Sequence, residues 1–289
     1  MNILVTGGAG FIGTNLIKEL VKDGLHNVVS LDNYSTGDEK NEQEGCVYHN
    51  VDIRDAVDFD FFMDSPDVIY HLAALPRIQP SFEFPALTME IGMLGTMNIL
   101  EWARNKECKV IYAGSSSVHS GHYKNPYTFS KVMGDEICLM YKKIFDVDVK
   151  VCRFYNVYGP HQLTEGEYCT VIGIFERLFS EDKALTITSD GEQRRDFTHV
   201  DDIVDGLILT SESEKFELNF IELGRGENYS INELADMFGT EPYPYPTRYI
   251  DERPGEARVT LCDTSVAKKD IGYEPKVNLK DYIKEVISE

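Results

Sequence analysis

Positive charge is scarce in this chain: 28 lysines and arginines stand against 49 aspartates and glutamates, a formal net charge of −21. A nucleic-acid binder needs the opposite, a basic face that displaces phosphate counterions, so no nucleic-acid partner is expected. The same deficit argues against docking to an anionic membrane. Any anionic ligand must instead be held by a few chosen cations. No apolar run reaches the roughly 20 residues needed to cross a bilayer. The first residues lack the basic flank of a signal segment, and Gly7, Gly8, Gly10 and Gly13 interrupt them. Six cysteines, at 46, 108, 138, 152, 169 and 262, show neither a Cys-x-x-Cys pair nor metal-ligand spacing. Thiols inside apolar stretches such as Val151-Cys152-Arg153 fit reduced, buried side chains in a cytoplasmic protein with no bound metal. Internal repeats and low-complexity tracts are missing as well.

What is present is an alternation. Asn2–Thr6 reads as a buried strand, followed by a glycine turn and a helix from Phe11 to Lys22 with Ile12, Leu16, Ile17 and Leu20 at helical spacing. Further strands are expected at 28–32, 46–52, 67–72, 109–114 and 147–155, with long helical patterns at 85–105 and 127–145. Strands separated by helices imply an α/β fold, a doubly wound parallel sheet of Rossmann type. After Gly159-Pro160 the rhythm changes. Helices are expected at 170–179, 201–210, 231–238 and 278–287, strands at 185–188 and 219–223, and a proline-marked extended loop over 241–256. Ser230-x-x-Glu233 spells a capping box. We expect two lobes: 1–158 with 196–224, and a smaller one, 159–195 with 225–289, closing a cleft.

Thr6-Gly7-Gly8-Ala9-Gly10-Phe11-Ile12-Gly13 lies between a strand and a helix. In that setting the glycines allow a tight turn and a close backbone approach to a pyrophosphate, which the helix N-terminus then faces. Asp32 closes the second strand, 19 residues beyond Gly13. A carboxylate there accepts from the adenosine ribose hydroxyls and repels a 2′-phosphate, which favours NAD over NADP. Tyr127 and Lys131, four residues apart, share one helix face. A free phenol ionises near pH 10, and a neighbouring ammonium is one of the few groups that could bring it toward neutrality. Ser115, at the end of a strand, could share the hydroxyl being deprotonated. Tyr-x-x-x-Lys alone also occurs in ordinary packing helices; the glycine turn gives it weight. Arg195 and Arg253 lie in the second lobe, where two guanidinium forks could clamp a diphosphate. Asn156 could donate to the same phosphates, and Glu256 could accept from a ribose.

These motifs together resemble the NAD-dependent epimerase/dehydratase family of extended short-chain dehydrogenases/reductases, nearly end to end. The resemblance reads the glycine motif onto Gly7, Gly10 and Gly13, with Phe11 and Ile12 between. It reads an adenine-side pair onto Asp52-Ile53 with Asn33, and the segment after the fourth strand onto His71-Leu72-Ala73-Ala74. The catalytic trio falls on Ser115, Tyr127 and Lys131, and three later motifs on Arg153–Gly159, Arg195–Asp202 and Arg253–Glu256. Phe154 is then implied at the cofactor, and Ser116, Asn156, Val171, Arg195, Arg253, Glu256 and Thr260 at a nucleoside-diphosphate sugar. The implied activity is 4-epimerisation of a UDP-hexose or UDP-N-acetylhexosamine by a homodimer. Alternatives are dehydration, decarboxylation or reduction of the same substrates, or, in another class, a catalytically silent NAD sensor. Ser116 and Ser117 stand where dehydratases and decarboxylases carry acids. Thr260 stands where a tyrosine would exclude bulk at carbon 2, though it is equally a plain β-branched strand residue. Four features depart from the family pattern: Gly92 in place of an asparagine, Arg77 in a loop of small residues, His119-Ser120 for Tyr-Gly, and 12 residues from Ser115 to Tyr127.

If Asp32 reads the ribose, calorimetry will show NAD binding more tightly than NADP, and Asp32→Ala will narrow the gap. Equal affinities in the native protein would contradict it.

Overall fold

The computed structural model describes residues 1–55, 58–214, 220–239 and 242–288. Strands β1 (Asn2–Thr6), β2 (Asn27–Asp32), β3 (Cys46–Asn50), β4 (Val68–His71), β5 (Lys109–Ser115) and β6 (Asp148–Phe154) join Phe220–Leu223 in one sheet of seven. The order is Phe220–Leu223, β6, β5, β4, β1, β2, β3, and each pair is parallel. The expected doubly wound parallel sheet is the observed one. Asn219, placed in the last strand by its sequence, lies outside the described residues.

Side chains alternate across the sheet with the period of two that strands impose. Leu4, Val29, Leu31, Ile69 and Val110 face one layer, completed by Ile99, Leu100, Cys138 and Tyr141 from helices. Ile3, Val5, Val28, Tyr70 and Ile111 face the other, against Leu16, Ile17 and Leu20 of helix Phe11–Leu20 and Ile203, Val204 and Leu207 of helix Val200–Glu212. Both faces being covered explains why these strands read as continuous apolar runs. The chain leaves β3 at one edge and returns as β4 on the far side of β1. The reversal opens a crevice at the carboxyl ends of β1 and β4, where an open α/β sheet binds its ligand.

A third core, built on Ile172, Phe175, Leu185, Leu234 and Phe238, takes in Tyr158 and Phe197 from the stretches expected in the first lobe. Ala267, Ile271 and Tyr273, however, pack into the sheet's second layer. Within the stretch expected to be a mere loop, Thr247–Ile250 forms a strand pairing in parallel with Leu185–Thr188. Three prolines, at 242, 244 and 246, end just before it, and Pro246 accepts from Leu185 N instead of donating. The 85–105 pattern is one continuous run, but Glu90–Gly95 winds as a π-turn between Pro85–Met89 and Thr96–Ala103. Cys108, Cys138, Cys152, Cys169 and Cys262 are buried free thiols.

Asp196 ties together three stretches of chain that are distant in sequence. Fully buried, its carboxylate accepts from the backbone N–H groups of Arg225 (2.8 Å), Gly226 (2.9 Å) and Cys262 (2.9 Å). Removing it leaves these N–H groups without their acceptor; that of Cys262 is buried, while Arg225 and Gly226 are open to water. An unmet buried donor costs about 1–3 kcal/mol, so Asp196→Ala is expected to lose at least about 1 kcal/mol in urea denaturation; a smaller loss would show that water replaces the carboxylate.

Candidate functional site

All candidate residues, from Gly7 to Thr260, line a single cleft between the sheet's carboxyl edge and the smaller lobe. Its floor is the glycine turn. Gly7 has φ +75°, and a Cβ there would stand 2.9 Å from the backbone of Ala73. A Cβ on Gly13 would stand 2.1 Å from the carbonyl oxygen of Gly7. The turn is thus folded as tightly on itself as a pyrophosphate cradle requires, and a dinucleotide fits its chemistry. Asp32 is buried at the end of β2, and its two oxygens accept from Ala9 N (2.9 Å) and Tyr34 N (2.8 Å). Burial raises its pKa while these bonds oppose the rise. Asp52 accepts from Asn33 Nδ2 (2.9 Å) and pairs with Arg54 (2.7 Å), which also reaches Glu90 (2.9 Å). Arg54 holds the Asp52 carboxyl down at about 2.

Helix Pro126–Phe145 begins where it does because Asn125 caps it, its side chain accepting from Thr128 N at 2.7 Å, and because proline suits the first helical position. Tyr127 therefore falls in the first turn, and its N–H donates to Ser81 Oγ (3.1 Å). One turn on, buried Lys131 donates to the Ala113 carbonyl (2.7 Å), its Nζ 5.1 Å from the Tyr112 ring centroid. A second turn on, Asp135 binds Arg153 (2.8 Å), which pairs with Glu222 (3.1 Å), itself bonded to His119 (3.1 Å). Ser115 ends β5, its hydroxyl 3.0 Å from that of Ser117. His71 is clamped between Thr6 (2.7 Å) and Thr96 (3.1 Å), and burial lowers its pKa to about 3, so it stays neutral.

The charges differ from expectation in one respect. Burial raises the Tyr127 phenol, and the groups that pull it back are the Ser115 hydroxyl and the Arg77 guanidinium rather than Lys131. Lys131 is itself depressed to about 8 by burial, against which Asp135 works.

On the opposite wall, Arg195 is buried and already paired with Glu256 (3.2 Å). Arg253 is exposed at the rim and free of partners among the described residues. Asn156, at φ +22°, gives both amide hydrogens to protein, to the Asp196 carbonyl (3.0 Å) and Thr260 Oγ1 (3.0 Å). Thr260 Oγ1 also accepts from Asp196 N (3.1 Å), so this threonine fastens the wall it lines. Val171 opens helix Val171–Ser180, while Ser116 and Phe154 complete the lining. Gln193, Tyr168 and Arg77 share the cleft without having been singled out as ligand contacts. Only Arg77 left a trace in the sequence, as a charge in a loop of small residues.

A family model described as "NAD dependent epimerase/dehydratase family" matches residues 3–221. The chain is 32% identical to a putative UDP-glucose 4-epimerase of Methanocaldococcus jannaschii, over 99% of this chain and 97% of that one. It is 28% identical to UDP-glucuronic acid decarboxylase 6 of Arabidopsis thaliana, over 97% of this chain and 86% of the relative. Among solved structures, the UDP-glucuronic acid 4-epimerase of Bacillus cereus, in complex with UDP-glucuronic acid and NAD, superposes with a TM-score of 0.89 at 28% identity, covering 100% of this chain and 98% of that one.

Lys131 ordinarily ionises near 10.5 and here near 8. Between those values the unfolded chain binds the extra proton, so stability should rise with pH from about 8 to 10.5. In the cofactor-free protein, carbon NMR of labelled lysines should find two residues titrating near pH 8, Lys131 and the likewise buried Lys150, and Lys131→Met should remove one of them along with part of that rise. Titration of every lysine above pH 10 would contradict the burial argument.

Proposed function

Because this chain belongs to the NAD-dependent epimerase/dehydratase family, we propose that it is an NAD-dependent epimerase inverting carbon 4 of a UDP-sugar. The observation that carries the reading is the company Tyr127 keeps. The phenol shares one cleft with the glycine turn on one side and Arg195 and Arg253 on the other.

Bound NAD would supply the reversible hydride acceptor for carbon 4. Gly7, Gly10, Phe11, Ile12 and Gly13 hold its pyrophosphate, with Asp32 at the ribose and Asn33, Asp52 and Ile53 around the adenine. Leu72, Ala73, Ala74 and Phe154 line the rest of the cofactor's path. Tyr127 takes the proton of the 4-hydroxyl as the hydride leaves and gives it back when the hydride returns to the other face. Ser115 orients that hydroxyl, and Lys131 steadies the nicotinamide ribose. Arg195 and Arg253 hold the diphosphate, with Asn156 fixing the wall behind it, and Ser116, Val171, Glu256 and Thr260 complete the substrate's surroundings. Among Ser115–Ser117 there is no acid to drive an elimination, which favours epimerisation over the decarboxylation named for the plant relative.

The NAD-binding lobe is 1–158 with 196–224, and the sugar-binding lobe 159–195 with 225–289, except that 267–273 packs with the first. Leu94, Met140, Ile144 and Phe145 leave apolar surface exposed along 90–95 and helix Pro126–Phe145, which supports a homodimer through these segments. A cytoplasmic location agrees with the free thiols. No described helix is long and apolar enough to cross a membrane.

With substrate deuterated at carbon 4, the label should remain there in both epimers, without net NADH. Tyr127→Phe should bind NAD and lose at least ~100-fold in turnover. Wash-in of solvent deuterium at carbon 4, or near-native turnover by Tyr127→Phe, would overturn the mechanism.

A further inference from the structure

Arg77 is the one cation of the cleft whose role the foregoing chemistry leaves open. It follows β4 and holds φ +105°, ψ 140°, a conformation that strains a side-chain-bearing residue and persists where surroundings enforce it. What holds it is its Nε, which donates to the Tyr168 carbonyl at 2.8 Å. Its two terminal nitrogens have no hydrogen-bond partner and no carboxylate within ion-pair distance among the described residues. Among the groups whose charge is felt at Arg77 the one carboxylate is Glu256, and it is engaged by Arg195. A partly buried guanidinium without a counterion is costly, and leaving its terminal donors unmet adds to the cost.

Two of the anions expected in this cleft already have partners. The cofactor's pyrophosphate has the glycine turn, and the nucleotide's diphosphate has Arg195 and Arg253 on the opposite lobe. Arg77 instead stands on the catalytic side, close enough to Tyr127 for its charge to pull on the phenol. The terminal nitrogens form one edge of a fork that matches the two oxygens of a carboxylate. The geometry points to a nucleotide sugar that carries a carboxylate on carbon 5, beside the carbon that reacts: a uronate rather than a neutral hexose. This rests on the epimerase reading and narrows it. It is independent of the substituent at carbon 2, which faces the Thr260 side.

The test is calorimetry on NAD-loaded protein with UDP, UDP-glucose and UDP-glucuronate, for native protein, Arg77→Gln and Arg77→Gly. Native protein should bind the uronate about 10- to 100-fold more tightly than the hexose, the range of a charge-assisted hydrogen-bonded contact. Both variants should erase that preference while binding UDP within about 3-fold of native. Arg77→Gly, which accepts the positive φ without strain, should also melt at a higher temperature. Equal native affinity for the two sugars would overturn the inference, as would a parallel loss of UDP binding, which would assign Arg77 to the diphosphate. A uronate preference without epimerisation of either sugar would uphold this inference and end the epimerase reading. Epimerisation of the neutral sugar with no preference would do the reverse.

Discussion

The cleft depends on where helix Pro126–Phe145 begins. Asn125 and Pro126 fix its first turn, and the helical repeat then sets Tyr127, Lys131 and Asp135 along one stripe against β5 and β6. Shifting that start by one residue would rotate the stripe by about 100° and take the phenol out of the cleft. The same stripe carries the site's electrostatics. Lys131 is buried against Ala113 and Tyr112, and Asp135 is neutralised from behind by Arg153, itself held by Glu222. A buried ammonium tolerates its place because the Ala113 carbonyl of β5 accepts from it and the Asp135 charge, one turn on, favours it.

Much of this was legible in the chain because the signals are local. The strand–turn–helix around Gly7–Gly13 needs no distant partner to be recognised, and neither does the Tyr127–Lys131 spacing. The strand Thr247–Ile250 was hidden because its partner, Leu185–Thr188, lies some sixty residues away and prolines precede it. The π-turn at Glu90–Gly95 has no local spelling either. Gly92 within it would, with a Cβ, stand 3.0 Å from Ser130 of helix Pro126–Phe145, so what reads as a missing asparagine is also a close helix contact.

Pairing was the least legible layer. Arg195, Glu256, Asn156 and Thr260 were each recognisable as polar groups of a ligand wall, but a sequence does not say how they spend their hydrogen bonds on one another. Arg195 and Glu256 are partners, and Asn156 and Thr260 share a bond. Arg77 is the inverse case: visible in the sequence as a charge in a loop of small residues, it keeps two terminal nitrogens without a carboxylate among the described residues.

The segment Arg253–Glu256 is fastened to the catalytic half by its main chain. Gln79 donates to the Pro254 carbonyl (2.9 Å), Asn125 to that of Gly255 (3.1 Å) and Lys124 to that of Glu256 (2.6 Å). Gly255, at φ +79°, would with a Cβ stand 3.0 Å from the Phe82 ring. Since every acceptor is a backbone oxygen, the side chains at 253 and 256 can change without unfastening the strap. Substitution at 253 and 256 can therefore proceed while the alignment of Tyr127 stays untouched. Gly255 is the one letter of the strap that is not free to drift.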